Sequence, residues 1–170
     1  MKPFVSDVPC STLDIYQTVI AATGAKADTQ IQPLDGINLL PLFDGQMTER
    51  GKAIPFVARL NQEKSHAALL DWPYKLHTDA ASGRGKKASS DQPVAPVLLY
   101  DVSKDPNETT DLATQQPERV AKMKAELTAW KSSGLKSLAG DDYGPRAPGE
   151  PAPAQPTKRA KTAKKKRANQ

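Results

Sequence analysis

The feature that most constrains this chain is the stretch VLLYDVSKDPNETTDLA, residues 97–113. An apolar run, Val97-Leu98-Leu99-Tyr100, stops at Asp101, and a polar detour then separates it from Leu112. A short β-favouring run closed by turn residues predicts a strand. Lys104-Asp105-Pro106-Asn107 predicts a tight turn: Asp accepts backbone hydrogen bonds, Pro presets φ, and Asn tolerates the left-handed region. The following PERVAKMKAELTAWKSSG predicts a helix, with Pro117 in its first turn and Glu118 favourable beside it. Val120, Met123, Leu127 and Trp130 recur at helical spacing, Glu118 and Lys122 form an i,i+4 pair, and Gly134 is placed as the stop. The chain must therefore supply a sheet for this apolar stripe to cover.

The rest of the body provides one. AIPFVARL (53–60), HAALLD (66–71) and YKLHT (74–78) predict three extended segments before the strand at PVLLYDV, with a polar loop over 79–93. CSTLDIYQTVIAATGA predicts a helix, with Ser11 and Asp14 at capping-box spacing and Gly24 as its stop. Its face carries Leu13, Tyr16, Val19 and Ile20. LDGINLLPLFDG predicts a turn at Asp35-Gly36 and a short apolar helical piece ended by Gly45. The expected class is α+β: a small antiparallel sheet with flanking helices.

Charge divides the chain. Residues 146–170 hold eight basic side chains and one acid, a net of +7, whereas residues 1–145 carry a net of −2. The tail is Pro/Ala-rich, then Lys/Arg-rich, and has no apolar side chains to bury, so disorder is expected over 141–170, with 1–140 as a partial domain. No apolar run approaches the roughly 20 residues that cross a bilayer, and Met1 is followed by no apolar segment of signal-peptide type. The single cysteine, Cys10, excludes an internal disulfide and a cysteine-rich metal site.

Four pieces in order carry a resemblance. They are Asp14-Ile15-Tyr16-Gln17-Thr18, Leu34-Asp35-Gly36 through Gly45, Lys75-Leu76, and Leu99-Tyr100-Asp101 through Leu112. Together, across about residues 5–135, they resemble the C-terminal portion of the arylsulfatase family in the alkaline-phosphatase-like superfamily. Gln17 stands where that family usually has Pro, and Asp111 where it often has Asn. The resemblance implies the C-terminal subdomain of an α/β sulfatase, an enzyme that hydrolyses sulfate esters. It also implies a formylglycine nucleophile made from Cys in a Cys-x-Pro-x-Arg motif, a calcium ion held by Asp and Asn, and Lys and His that offset developing charge. Those elements belong to the N-terminal part of the family, so this chain is expected to begin after them and to bind neither group itself. The missing catalytic portion is the implied partner. A periplasmic, secreted or lysosomal setting is what the family suggests for a full-length protein.

The residues present agree with that division. Cys10 is followed by Ser11-Thr12-Leu13-Asp14, without the Pro and Arg that direct formylglycine formation, and reads as a small residue near a helix start. Asp141-Asp142 has no second acidic pair to complete a calcium site. The donors Asp101, Asp105, Asn107 and Glu108 lack the central Gly of a calcium loop and contain Pro106, which favours a structural turn. Asn107-Glu108-Thr109 is a glycosylation sequon that turn chemistry explains equally. Arg59, His66 and Lys75 are the candidates for contact with a substrate's remote groups at the pocket rim, set against ordinary strand-end polar roles; His77 closes a strand. A second function class is a non-enzymatic module whose KRAKTAKKKR segment binds polyanions through salt-dependent phosphate or sulfate contacts.

Overall fold

A computed structural model describes residues 3–26, 34–60, 65–78 and 97–141. The expected loop over 79–93, Asp142 and the basic tail lie outside the described residues. The element order is α1 (Asp14–Thr23), α2 (Leu40–Phe43), β1 (Ile54–Val57), β2 (Ala67–Asp71), β3 (Tyr74–Thr78), β4 (Leu98–Asp101) and α3 (Pro117–Ala139). The strands form one antiparallel sheet in the order β1-β2-β3-β4. The expected α+β architecture is the one observed, with four strands and three helices among the described residues.

Register decides what each face of the sheet carries. Leu69, Leu76 and Leu99 are paired across β2, β3 and β4 and are buried together with Met123 and Leu127 of α3. Each such burial stabilises by roughly 1.5–3 kcal/mol, which makes this seam the centre of the core. Strand alternation sends the intervening residues Lys75, His77 and Tyr100 to the opposite face.

The polar detour has a specific task at the edge of this sheet. The Leu112 N–H donates to the Leu99 carbonyl at 2.8 Å, and the Leu99 N–H donates to Asp111 Oδ1 at 3.0 Å. Asp111 and Leu112 together satisfy the exposed edge of β4 much as another strand would. An Asn oxygen at position 111 would accept the same bond. Within the turn, Asp105 Oδ2 accepts the N–H groups of Thr109 and Thr110 at 2.7 and 2.8 Å, and Asp101 Oδ1 accepts from the Ser103 hydroxyl at 2.6 Å.

Two expectations are corrected. Helix α3 runs through Gly134 to Ala139 and ends at Gly140, whose φ is 94°. At Gly134 the helix approaches Leu60: a Cβ there would lie 2.7 Å from Leu60 Cδ2, so the leucine side chain would have to shift. Helix α1 starts at Asp14, with Leu13 as N-cap and no side-chain cap. Ser11 Oγ accepts from the Leu13 N–H, while Asp14 Oδ2 accepts from the Ser11 N–H at 2.7 Å. The expected stops at Gly24 (φ 66°) and Gly45 (φ 71°) are observed in the left-handed region that glycine favours.

Candidate functional site

The first two resemblance pieces are one structural unit. Asp14 is fully buried at the start of α1 and receives Arg50 in a two-pronged ion pair, Nη1 to Oδ2 at 2.7 Å and Nη2 to Oδ1 at 2.6 Å. Its Oδ1 also accepts the Ile37 N–H at 2.9 Å. One turn on, Thr18 Oγ1 accepts the Leu39 N–H at 3.0 Å. Gln17 donates its side-chain amide to the Gly36 carbonyl, which adds a tie between the two segments. Gly36 has no alternative: a Cβ there would lie 2.0 Å from the Leu13 carbonyl oxygen. Burial pushes the Asp14 carboxyl upward, but Arg50 and the Ile37 and Ser11 N–H groups outweigh it and hold its pKa below the usual carboxylate value. This unit holds α1 against the 34–39 segment and leaves no carboxylate oxygen for a ligand.

The face of the sheet turned away from α3 carries the titratable cluster. Lys75 Nζ lies 2.5 Å from Glu108 Oε1, and His77 Nε2 lies 3.0 Å from Glu108 Oε2. His66 Nε2 and His77 Nδ1 are 3.1 Å apart, and the His77 ring meets Tyr100 edge-on with centroids 5.8 Å apart. Glu108 reaches the sheet from the turn in a left-handed conformation (φ 56°), which costs a non-glycine residue energy unless its side chain is well held. Burial lowers the His77 pKa below the ordinary imidazole value, against the opposing pull of Glu108 and with help from Lys75 and His66. Burial first, then the charges of Asp111, Glu108 and Asp105, raise the Tyr100 phenol.

Of the three residues expected at a rim, the structure brings two together. His66 and Lys75 belong to this cluster through His77 and Glu108. Arg59 does not: it is exposed beyond the end of β1, and its N–H donates to Ser65 Oγ at 2.8 Å. Sequence reasoning gave Glu108 a role only in the turn, because no local signal reports a contact across 33 positions. His77 could have been found, since it shares strand parity with Lys75. Elsewhere, Arg119 stacks over Tyr74 at 3.9 Å beside an open groove lined by Gln116, Pro117 and Lys122.

The described residues do not fit the calcium and formylglycine that the resemblance places in another part of the protein. Asp101 and Asp105 spend their oxygens on their own turn: the Ser103 hydroxyl lowers the Asp101 pKa, and the Thr110 N–H lowers that of Asp105. Among the described residues no group of three His, Cys, Asp or Glu side chains is placed to hold a metal ion. Cys10 is exposed, and its thiol faces the Val8 carbonyl at 3.5 Å.

No protein-family model matches the chain, and no curated protein sequence does. Solved structures do. Ps i-CgsB, also solved in complex with k-i-k-neocarrahexaose, matches at 23% identity and a TM-score of 0.55, over 82% of this chain and 30% of its own. BT33336S-sulf, from glycosaminoglycan metabolism by Bacteroides thetaiotaomicron, matches at 21% identity and a TM-score of 0.52, over 70% of this chain and 24% of its own. The chain thus spans less than a third of the length of either neighbour. The four-stranded antiparallel sheet with its packed helices has the fold of the C-terminal part of a sulfatase.

Proposed function

We propose that the chain acts as the C-terminal portion of a sulfuric ester hydrolase, completing the fold and one side of the pocket of a catalytic portion made of other residues. The fold likeness to under a third of two sulfatase chains carries this reading. The outer face of α1 supports it. Of the apolar face read from the sequence, Leu13, Tyr16 and Val19 (52%) are exposed and Ile20 is half-buried; Ile15, not read as part of it, is 60% exposed beside them, so most of this surface lacks a cover among the described residues. A contiguous apolar surface of this kind favours burial against another body.

In this reading His66 and Lys75 meet the remote groups of the substrate at the rim, with Lys75 already neutralising Glu108. The nucleophile and the cation that offset charge in the transition state come from the catalytic portion. A sugar sulfate is the class to assay first, given the oligosaccharide bound by one fold neighbour. Polyanion binding through the basic tail is a second reading, favoured by the net +7 of residues 146–170.

The test is sulfate release from aryl and sugar sulfates by the chain alone and then with a catalytic portion encoded beside it. The expected result is no turnover alone, with or without calcium, and calcium-dependent turnover on addition. Calcium-dependent release by the chain alone, abolished by Cys10→Ala, would overturn the proposal.

A further inference from the structure

The two histidines meet in a way that fixes where their protons sit. Their rings are within 15° of parallel, yet the centroids are 5.3 Å apart. With Nε2 of His66 and Nδ1 of His77 at 3.1 Å, that separation matches two rings joined edge to edge. Such a contact needs one N–H and one bare lone pair. The other nitrogen of His77, Nε2, is sealed from solvent and makes no aligned hydrogen bond, but Glu108 Oε2 lies 3.0 Å away. The negative charge of the Glu108 carboxylate at that distance favours a proton on Nε2 over a bare nitrogen, so the proton is assigned there. Nδ1 of His77 is then bare and accepts from the Nε2–H of His66. Nδ1 of His66, on the exposed member of the pair, remains bare in turn.

We propose that Glu108, His77 and His66 form a carboxylate–imidazole–imidazole relay in which Glu108 and His77 are positioning residues that present Nδ1 of His66 outward. In this tautomer the nitrogen accepts a hydrogen bond from a ligand hydroxyl. Among the described residues, the other charged or titratable groups acting on the pair are Lys75 on β3, which holds Glu108 Oε1, and Tyr100 on β4, edge-on to His77; the charges of Asp105 and Asp111 act on Tyr100. The hydroxyl ligand rests on the rim role proposed above, whereas the tautomers do not, so the two can fail separately.

The experiment is nitrogen-15 spectroscopy of imidazole-labelled full chain above neutral pH, in solution or in the solid, with no substrate added. The chain has two histidines, and His66→Gln assigns them. Both rings are expected in the Nε2–H form, with His77 Nδ1 shifted as a hydrogen-bond acceptor. Glu108→Gln should remove the single tautomer at His77. Glu108→Gly, which tolerates the left-handed backbone, should do the same and guards against a folding defect in the first variant. An Nδ1–H form of His77 in the native chain, or tautomer populations unchanged in both variants, overturns the relay.

Discussion

Arg50→Ala is the most demanding test of how the two halves of the body are held. Arg50 is 9% exposed, and Asp14 is fully buried. The substitution removes both prongs of their ion pair, together with the Arg50 bonds to the carbonyls of Lys52 (2.8 Å) and Pro9 (3.2 Å). Breaking one side of a buried pair costs about 3–5 kcal/mol, because the remaining charge is stranded. Asp14 keeps two backbone donors, the N–H groups of Ser11 and Ile37, so the lower end, about 3 kcal/mol, is expected. For a body of this size that lowers Tm by on the order of 10–20 °C. Stranded Asp14 then prefers to be neutral, so the loss should shrink as the medium is acidified toward pH 4 (about the ordinary carboxylate value). The double variant Asp14→Leu/Arg50→Met should not recover native stability, since it orphans the Ser11 and Ile37 N–H groups at about 1–3 kcal/mol each. Urea and thermal unfolding followed by tryptophan fluorescence would measure all three, at concentrations where the midpoint no longer depends on dilution. A loss below about 1 kcal/mol for Arg50→Ala, or one independent of pH, would refute the claim that this pair is buried and structural.

Gly36→Ala should destabilise by at least about 1–3 kcal/mol, because the obstacle is the Leu13 backbone, whereas Gly24→Ala, in open space at φ 66°, should lose only about 1 kcal/mol; unfolding midpoints decide. For pH, the unfolded chain protonates His77 at the ordinary value of 6.5 while the folded chain does so lower, so the unfolded state binds more protons in that window. Stability should therefore fall as pH drops below about 6.5 and level off below the folded value, and His77→Gln should erase this step. A lower step follows below the ordinary carboxylate value of 3.8, where protonation of Asp14 removes what its lowered pKa contributes. Deleting residues 146–170 should leave far-ultraviolet circular dichroism almost unchanged and abolish retention on heparin at low salt; equal retention would place polyanion binding elsewhere.

The sequence by itself determined the elements. Alternation in YKLHT and LLYD, the period of Val120, Met123 and Leu127, and the stops at Gly24 and Gly45 are local signals, and each produced the strand, helix or turn expected. Local signals also misled where a residue's reason was distant. Gly134 resembles a helix stop, but α3 runs through it, and the Leu60 side chain packs close against it. Tyr16 and Val19 have the spacing of a core face, yet they are exposed, and the buried residue of α1 is Asp14. A charged group tolerates that burial only because Arg50, 36 positions away, brings a matching charge and geometry. The cluster divides the same way. Lys75 and His66 were visible as polar residues on strands, but their partnership was not. It took the β2–β3 register to set the two imidazoles side by side, and the strained turn at Glu108 to deliver a carboxylate across 33 positions. Hydrogen bonds and ion pairs act over a few ångströms in space, whatever the separation along the chain, so which groups share a proton or a charge was decided only by the tertiary structure.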